Sequence, residues 1–282
     1  MTGTPTYSKT KGELWKLAPL LVPVGMMLAG IGHTVRTSLA PGLIAYEAAL
    51  AQPGLFQNLL FSLYVAGVST LLSVSIGTGL AYLIRRLPGV YRGRAVGFLI
   101  PLILPHFAVG LLILLWFSQS GLISSVFEYV GASGGFRSPL FRGDGIGLIL
   151  GYVYKSTPFV LILVFPILRR IPDGYIQTGR MLGASEFRCF RQVVLPRLLP
   201  GVFSVSIIIF VYSFGSYDLP YVLGESRPRM ISLYLYRLYF SRPIGERPIA
   251  AAMLVLILLC GAALVLMYAM AVRGVEERER RL

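Results

Sequence analysis

The sequence predicts an all-α membrane protein of six transmembrane helices, and three features carry that expectation. A, V, I, L, M, F, W, Y and C fill 55% of the 282 positions while D, E, K and R fill 13%, a balance foreign to a water-soluble chain of this size. The apolar residues collect in runs of about 20, the length that crosses a hydrocarbon core at the helical rise. The basic residues, which give a formal net charge of +14, lie mostly in short segments between those runs. That is how membrane-protein loops look, so the lipid bilayer is the partner expected and nucleic acid is not.

In chain order the expected spans are 17–39, 59–84, 95–117, 145–168, 201–223 and 249–272, with a tail at 1–16, a membrane domain over 17–272 and a second tail at 273–282. The first run follows Lys9, Lys11 and Lys16 without a small-residue cleavage site, so it reads as a retained helix and not as a cleaved leader. Span two carries Ser69, Ser73 and Gly77 at four-residue spacing, a stripe that lets another helix approach closely. Pro101 and Pro105 interrupt span three beside His106. Backbone groups freed by proline in a bilayer must be satisfied by neighbours or by water, so a broken helix lining a path is expected there. Lys155 in span four, and Tyr217 and Asp218 near the end of span five, join His106 as candidates for that path, because ionisable groups at such depth are expensive. For Lys155 and Asp218 the alternative is that they snorkel or cap a helix end. Cys189 and Cys260 fall at different depths and are not expected to pair.

Basic residues set the orientation. Lys9, Lys11, Lys16, then Arg85, Arg86, Arg92, Arg94, then Arg169, Arg170, Arg180, Arg188, Arg191, Arg197, and finally Arg273, Arg278, Arg280, Arg281 share one side. The other side holds Arg137, Arg142, Arg227, Arg229, Arg237, Arg242 and Arg247. The positive-inside rule then puts both termini in the cytoplasm. Residues 230–240, rich in Leu and Tyr, suit a helix lying at the outer interface, either as a membrane anchor alone or as the border of an outer gate.

The segment 171–200 between spans four and five is too long for a turn and too regularly patterned for a linker. Pro172 and Asp173 suit the start of a helix with Tyr175, Ile176, Gly179 and Leu182 on one face, and Gly183 can supply a left-handed C-terminal cap. Ser185 can cap a second helix with Glu186 in its first turn and Phe187, Phe190 and Val194 on one face, ended by Pro196.

Gln177-Thr178-Gly179-Arg180-Met181-Leu182-Gly183-Ala184-Ser185, followed by Val193-Val194-Leu195-Pro196, resembles the EAA loop of binding-protein-dependent ABC importer permeases. The glycine lies six residues after the motif start and the Leu-Pro pair begins twelve residues later, as in that family. Gln177-Thr178-Gly179 stands where the family has Glu-Ala-Ala, so hydrogen-bonding capacity is kept at Gln177 and the charge is lost. The resemblance implies a type I importer permease of the MetI-like fold in a bacterial inner membrane. It further implies that Gln177, Thr178, Gly179, Leu182, Gly183, Ala184, Ser185, Phe187, Leu195 and Pro196 dock ABC ATPase subunits. A second permease, identical or homologous, and a periplasmic or lipid-anchored substrate-binding protein complete the assembly it implies. Phe214-Gly215, Pro220 and Leu223-Gly224 are similar to span five of the polyamine, sulfate and ferric-iron branch, so the solute class implied is a polyamine, an inorganic or organic anion, or ferric iron. Ser216 stands where polyamine members tend to carry an acid, which tells against a cation.

No phosphate-binding loop, zinc-ligand spacing or nucleophile elbow occurs, so neither a cofactor nor catalysis is expected in this chain, and ATP hydrolysis would reside in the partner. The rival readings are an ion-driven secondary carrier, which often shows internal repeats and midplane ionisable groups, and a membrane-embedded enzyme, which needs a cluster of His, Asp, Glu or Cys within the spans. The sequence shows neither repeats nor such a cluster.

Overall fold

The computed structural model describes residues 18–87, 97–132, 135–224 and 227–280. The expected tail 1–16 with Lys9, Lys11 and Lys16, the loop residues Arg92 and Arg94, the start of the third span at Ala95, and Arg281 lie outside the described residues, as do the side chains of Arg273, Arg278 and Arg280. Among the described residues the chain is helical without strands. In order it forms α1 (Ala18–Leu39), α2 (Ile44–Leu50), α3 (Leu55–Arg86), α4 (Ile100–Ile103), α5 (His106–Phe117), α6 (Leu122–Tyr129), α7 (Ile146–Arg169), α8 (Asp173–Met181) and α9 (Glu186–Cys189). A π-helical turn (Phe190–Val194), α10 (Leu195–Gly215), α11 (Asp218–Leu223), α12 (Ile231–Phe240), a 3-10 turn (Ile244–Glu246) and α13 (Arg247–Arg280) follow.

Among the described residues five stretches are long and apolar enough to cross a membrane: Leu55–Arg86, His106–Tyr129, Ile146–Arg169, Glu186–Gly215 and Ile244–Met270. The remaining expected span coincides with the 22-residue α1, whose apolar run is diluted by His33, Thr34 and Arg36 toward its end. Two expected boundaries are corrected. Span five does not cover 201–223: α10 begins at Leu195 and stops at Gly215, where Ser216 turns extended (ψ 139°) and its carbonyl accepts the Ser232 hydroxyl at 2.6 Å. Nor does Pro196 end the second short helix. The Leu195 N–H reaches back five residues to the Phe190 carbonyl, and this wider register carries the chain past a proline that has no N–H to donate.

The chain divides into two compact units, Met1–Ala51 with Leu238–Leu258, and Gln52–Arg237 with Leu259–Leu282. In the first, α1 and α2 are joined by a hydrogen bond between the Ser38 and Tyr46 hydroxyls at 2.8 Å, and Ala250, Ala251, Ala252 and Met253 are buried.

The second unit is built around α3 and α7, which lie side by side and run in the same direction. Phe61 and Val65 face Gly145 just before α7, and Gly77 faces Val160 further along both helices. A Cβ on Gly77 would stand 2.6 Å from the Val160 Cβ and 2.9 Å from the Thr157 carbonyl, so glycine is what lets these helices close, and Ser69 and Ser73 are fully buried on the same stripe. The expectation of close helix approach is met. Toward the C-terminal ends of α3 and α7, Ala81, Tyr82, Ile84, Val164, Leu168 and Val194 form one apolar core. Toward their N-terminal ends Phe61, Val65, Leu148, Tyr152, Leu219 and Leu223 form another. There the start of α12 is tied to α3, since the Arg229 N–H donates to Asn58 Oδ1 (2.8 Å) and the Ile231 N–H to Ser62 Oγ (2.7 Å). Because α3 and α7 are parallel, Arg85, Arg86 and the segment 171–200 emerge at one end of the unit.

Candidate functional site

Segment 171–200 folds from its local chemistry. Pro172 caps α8, Asp173 stands in its first turn, and Gly183 adopts φ +80° just past its end. The Gly183 N–H donates to the Arg180 carbonyl (2.9 Å) and the Ala184 N–H to the Gly179 carbonyl (3.0 Å), a Schellman closure that consumes carbonyls the helix end leaves open. Ser185 then caps α9, its hydroxyl accepting the Arg188 N–H at 3.3 Å. Thr178 bonds its own helix, donating to the Gly174 carbonyl at 2.9 Å, and Gln177 is exposed. Leu195 and Pro196 are half-buried in the first turn of α10.

The faces differ from expectation in two places. Ile176 and Gly179 do face the bundle, where Gly179 lies against the buried Cys189, but Leu182 is 82% exposed because the helix turns over at that residue. Phe190 and Val194 pack inward, yet Phe187 is 70% exposed, since the inward position on α9 is taken by the Cys189 thiol that fits beside Gly179. Together with Met181, 88% exposed, these side chains form an apolar prominence on the end of the molecule. Tyr175 is held at the flank under the Arg197 guanidinium, 3.9 Å from its ring centre.

Sequence reading missed what fastens this segment to the bundle. Arg85 Nη2 donates to the Ile171 carbonyl and to Asp173 Oδ1, each at 2.5 Å. Arg86 pairs with Glu186 and lies over the Tyr82 ring at 4.2 Å, and Arg180 pairs with the same Glu186. The two arginines entered the sequence argument only as loop charges; their partners lie about a hundred residues away, beyond any local pattern.

The interior candidates separate into two groups. Span three breaks at Leu104-Pro105, with Pro101 harmless in the first turn of α4 and α5 starting at His106. Lys155 repairs the break: its ammonium donates to the carbonyls of Pro101 (2.9 Å), Leu102 (3.0 Å) and Leu104. It therefore caps a helix end deep in the unit. His106 and Lys155 both line a cavity of about 310 Å³ with Tyr212, whose ring centre is 5.1 Å from that of His106. Tyr217 and Asp218 do not line it. Tyr217 packs at a tilt against Tyr236 (4.6 Å) and Tyr221 (5.4 Å), and Asp218 is exposed in the first turn of α11. Among the described residues no group of three His, Cys, Asp or Glu could hold a metal, and both cysteines are free.

At the opposite end from segment 171–200, burial and the neighbouring charges of Arg237 and Arg227 hold the Arg229 pKa below the usual guanidinium range. Its Nε is buried without a partner.

A family model described as binding-protein-dependent transport system inner membrane component matches residues 73–277. The chain is 30% identical over 223 residues, 79% of its length and 81% of the relative, to the molybdenum transport system permease protein ModB of Mycobacterium tuberculosis. It is 23% identical over 186 residues, 64% of its length and 66% of the relative, to the spermidine/putrescine transport system permease protein PotB of Escherichia coli. Among solved structures, a bacterial ABC transporter involved in the import of the acidic polysaccharide alginate superposes with a TM-score of 0.72 at 16% identity, over 93% of this chain and 99% of that one. The methionine transporter MetNI, in inward-facing form, does so with 0.57 at 20% identity, over 78% and 95%. At those identities the shared feature is the fold.

Proposed function

Since the chain belongs to the family of binding-protein-dependent transport system inner membrane components, the MetI-like permeases of ABC importers, we propose that its segment 171–200 is the socket for a separate ATPase subunit and that its solute is an inorganic oxyanion. One observation carries the docking role: Met181, Leu182 and Phe187 stand exposed on two short helices whose mutual angle is fixed by the Gly183 turn. Apolar side chains presented on a locally rigid element are what a protein partner buries. No nucleotide chemistry is needed in this chain; the ATPase closes on ATP and moves the socket. Two permeases, two ATPase subunits and a binding protein form the importer, both termini of this chain are cytoplasmic, and alternating access opens the path between the permeases. The oxyanion assignment draws on the ModB relative and on the grouped charges of Arg227, Arg229 and Arg237, which favour an anion at the end opposite the socket.

Two measurements test this. The ATPase subunit co-purifies with the wild-type chain in detergent and is lost from Gly183→Trp, whose side chain cannot hold φ +80° without strain, while the variant still inserts. Retention of the ATPase by that variant would overturn the docking role. Vesicles bearing the whole importer take up molybdate and not spermidine; the reverse selectivity would overturn the oxyanion assignment alone.

A further inference from the structure

Arg85 and Arg86 are the last two residues of α3, and each reaches a different short helix of the socket at an acid of its first turn. Arg85 holds Asp173 of α8 and the Ile171 carbonyl just before it; Arg86 holds Glu186 of α9. Each guanidinium thus sits where the negative end of α3 and the acid at the positive end of a socket helix both favour a cation. Glu186 is shared with Arg180 at the end of α8, so α3, α8 and α9 converge on a single carboxylate.

Beside this charged junction the contact is apolar. Tyr82 of α3 packs on Phe190 with ring centres 4.6 Å apart, and Arg86 bonds the Tyr82 hydroxyl while lying over its ring. An apolar contact resists separation and allows sliding, whereas paired charges with directed hydrogen bonds fix angle and register. The exposed prominence of Met181, Leu182 and Phe187 is formed by other side chains than those held by the arginines. Gripping the partner and transmitting its motion are therefore assigned to different residues.

We infer that Arg85 and Arg86 are the positioning residues that deliver movement of the socket to α3, so that they set the coupling between hydrolysis and transport and leave docking untouched. This rests on the docking role proposed above. Once α3 is pulled, the rest of its unit follows, because α3 is locked to α7 through Gly77 and Val160 and shares a core with Leu198 and Val202 of α10. Arg86, Glu186 and Asp173 are 33%, 48% and 76% exposed, so their pairing contributes little to stability; Arg85 is only 10% exposed, and Gln there keeps a donor for its partners, so the loss is read in coupling and not in folding.

The test uses the complete importer in vesicles and measures ATP hydrolysis with and without the binding protein carrying its solute. In the double variant Arg85→Gln with Arg86→Gln, the ATPase subunit still co-purifies and basal hydrolysis persists, but stimulation by the loaded binding protein falls roughly fivefold or more, the scale of a typical coupling between sites. Exchanging charges, Arg86→Glu with Glu186→Arg, restores much of the stimulation that either single change removes. Full stimulation in the double Gln variant would overturn the inference, and so would loss of the ATPase subunit from it, since the arginines would then serve docking. Failure of the docking role itself is seen separately, as a wild-type chain that never retains the ATPase.

Discussion

Gly179 and Cys189 show how a single side chain can be read from its neighbour. Gly179 stands where the family motif has its second alanine, and a Cβ there would meet the Cys189 sulfur at 2.9 Å, with Cys189 itself 1% exposed. The thiol occupies the space an alanine methyl would need. Gly179→Ala gains helix propensity of roughly 1 kcal/mol but forces a buried side chain aside, and overpacking of that kind costs about 1–3 kcal/mol. The single variant is therefore expected to melt below the wild type in detergent, and adding Cys189→Ala is expected to raise the melting temperature again. Thermal unfolding of the three proteins checks this, and a double variant no more stable than the single one would refute it.

At the scale of elements, the broken third span is the feature whose energetics are clearest. Pro105 cannot donate to the Pro101 carbonyl and the chain leaves the helix at Leu104, so carbonyls are left open inside an apolar bundle, where each unsatisfied group costs about 1–3 kcal/mol. Lys155 takes three of them. Lys155→Met, which keeps the length of the side chain and removes its donors, is expected to destabilise the chain by about 1–3 kcal/mol, seen as a lower melting temperature with the ATPase interaction retained. The break and the short helices α8 and α9 were legible because prolines, Asp173, Gly183 and Ser185 act on residues beside them. The limits of span five were not: the apolar run from Leu195 to Leu223 continues through the stop at Gly215, which depends on a Ser232 contact sixteen residues on. The faces of α8 and α9 were half legible, since a repeat gives spacing but not which neighbour claims the inward position. The linkage through Arg85 and Arg86 joins residues about a hundred positions apart and leaves no local trace.

For the whole molecule, the parallel run of α3 and α7 gives the basic-residue pattern its meaning. The arginines ending α3, those ending α7 and segment 171–200 collect at one end, and the grouped charges of Arg227, Arg229 and Arg237 lie at the other. Family membership shows a permease; what the geometry adds is a division between an end that presents an apolar knob on rigid short helices and an interior whose buried Lys155 is engaged in holding backbone together. A self-sufficient carrier would need its energy coupling inside the bundle. The most direct measurement is solute accumulation by this chain in sealed vesicles, first alone under an imposed ion gradient and then with its ATPase, second permease, binding protein and ATP, using molybdate as the probe. The account predicts no accumulation alone and ATP-dependent accumulation in the assembly; accumulation by the chain alone, without nucleotide, would contradict it.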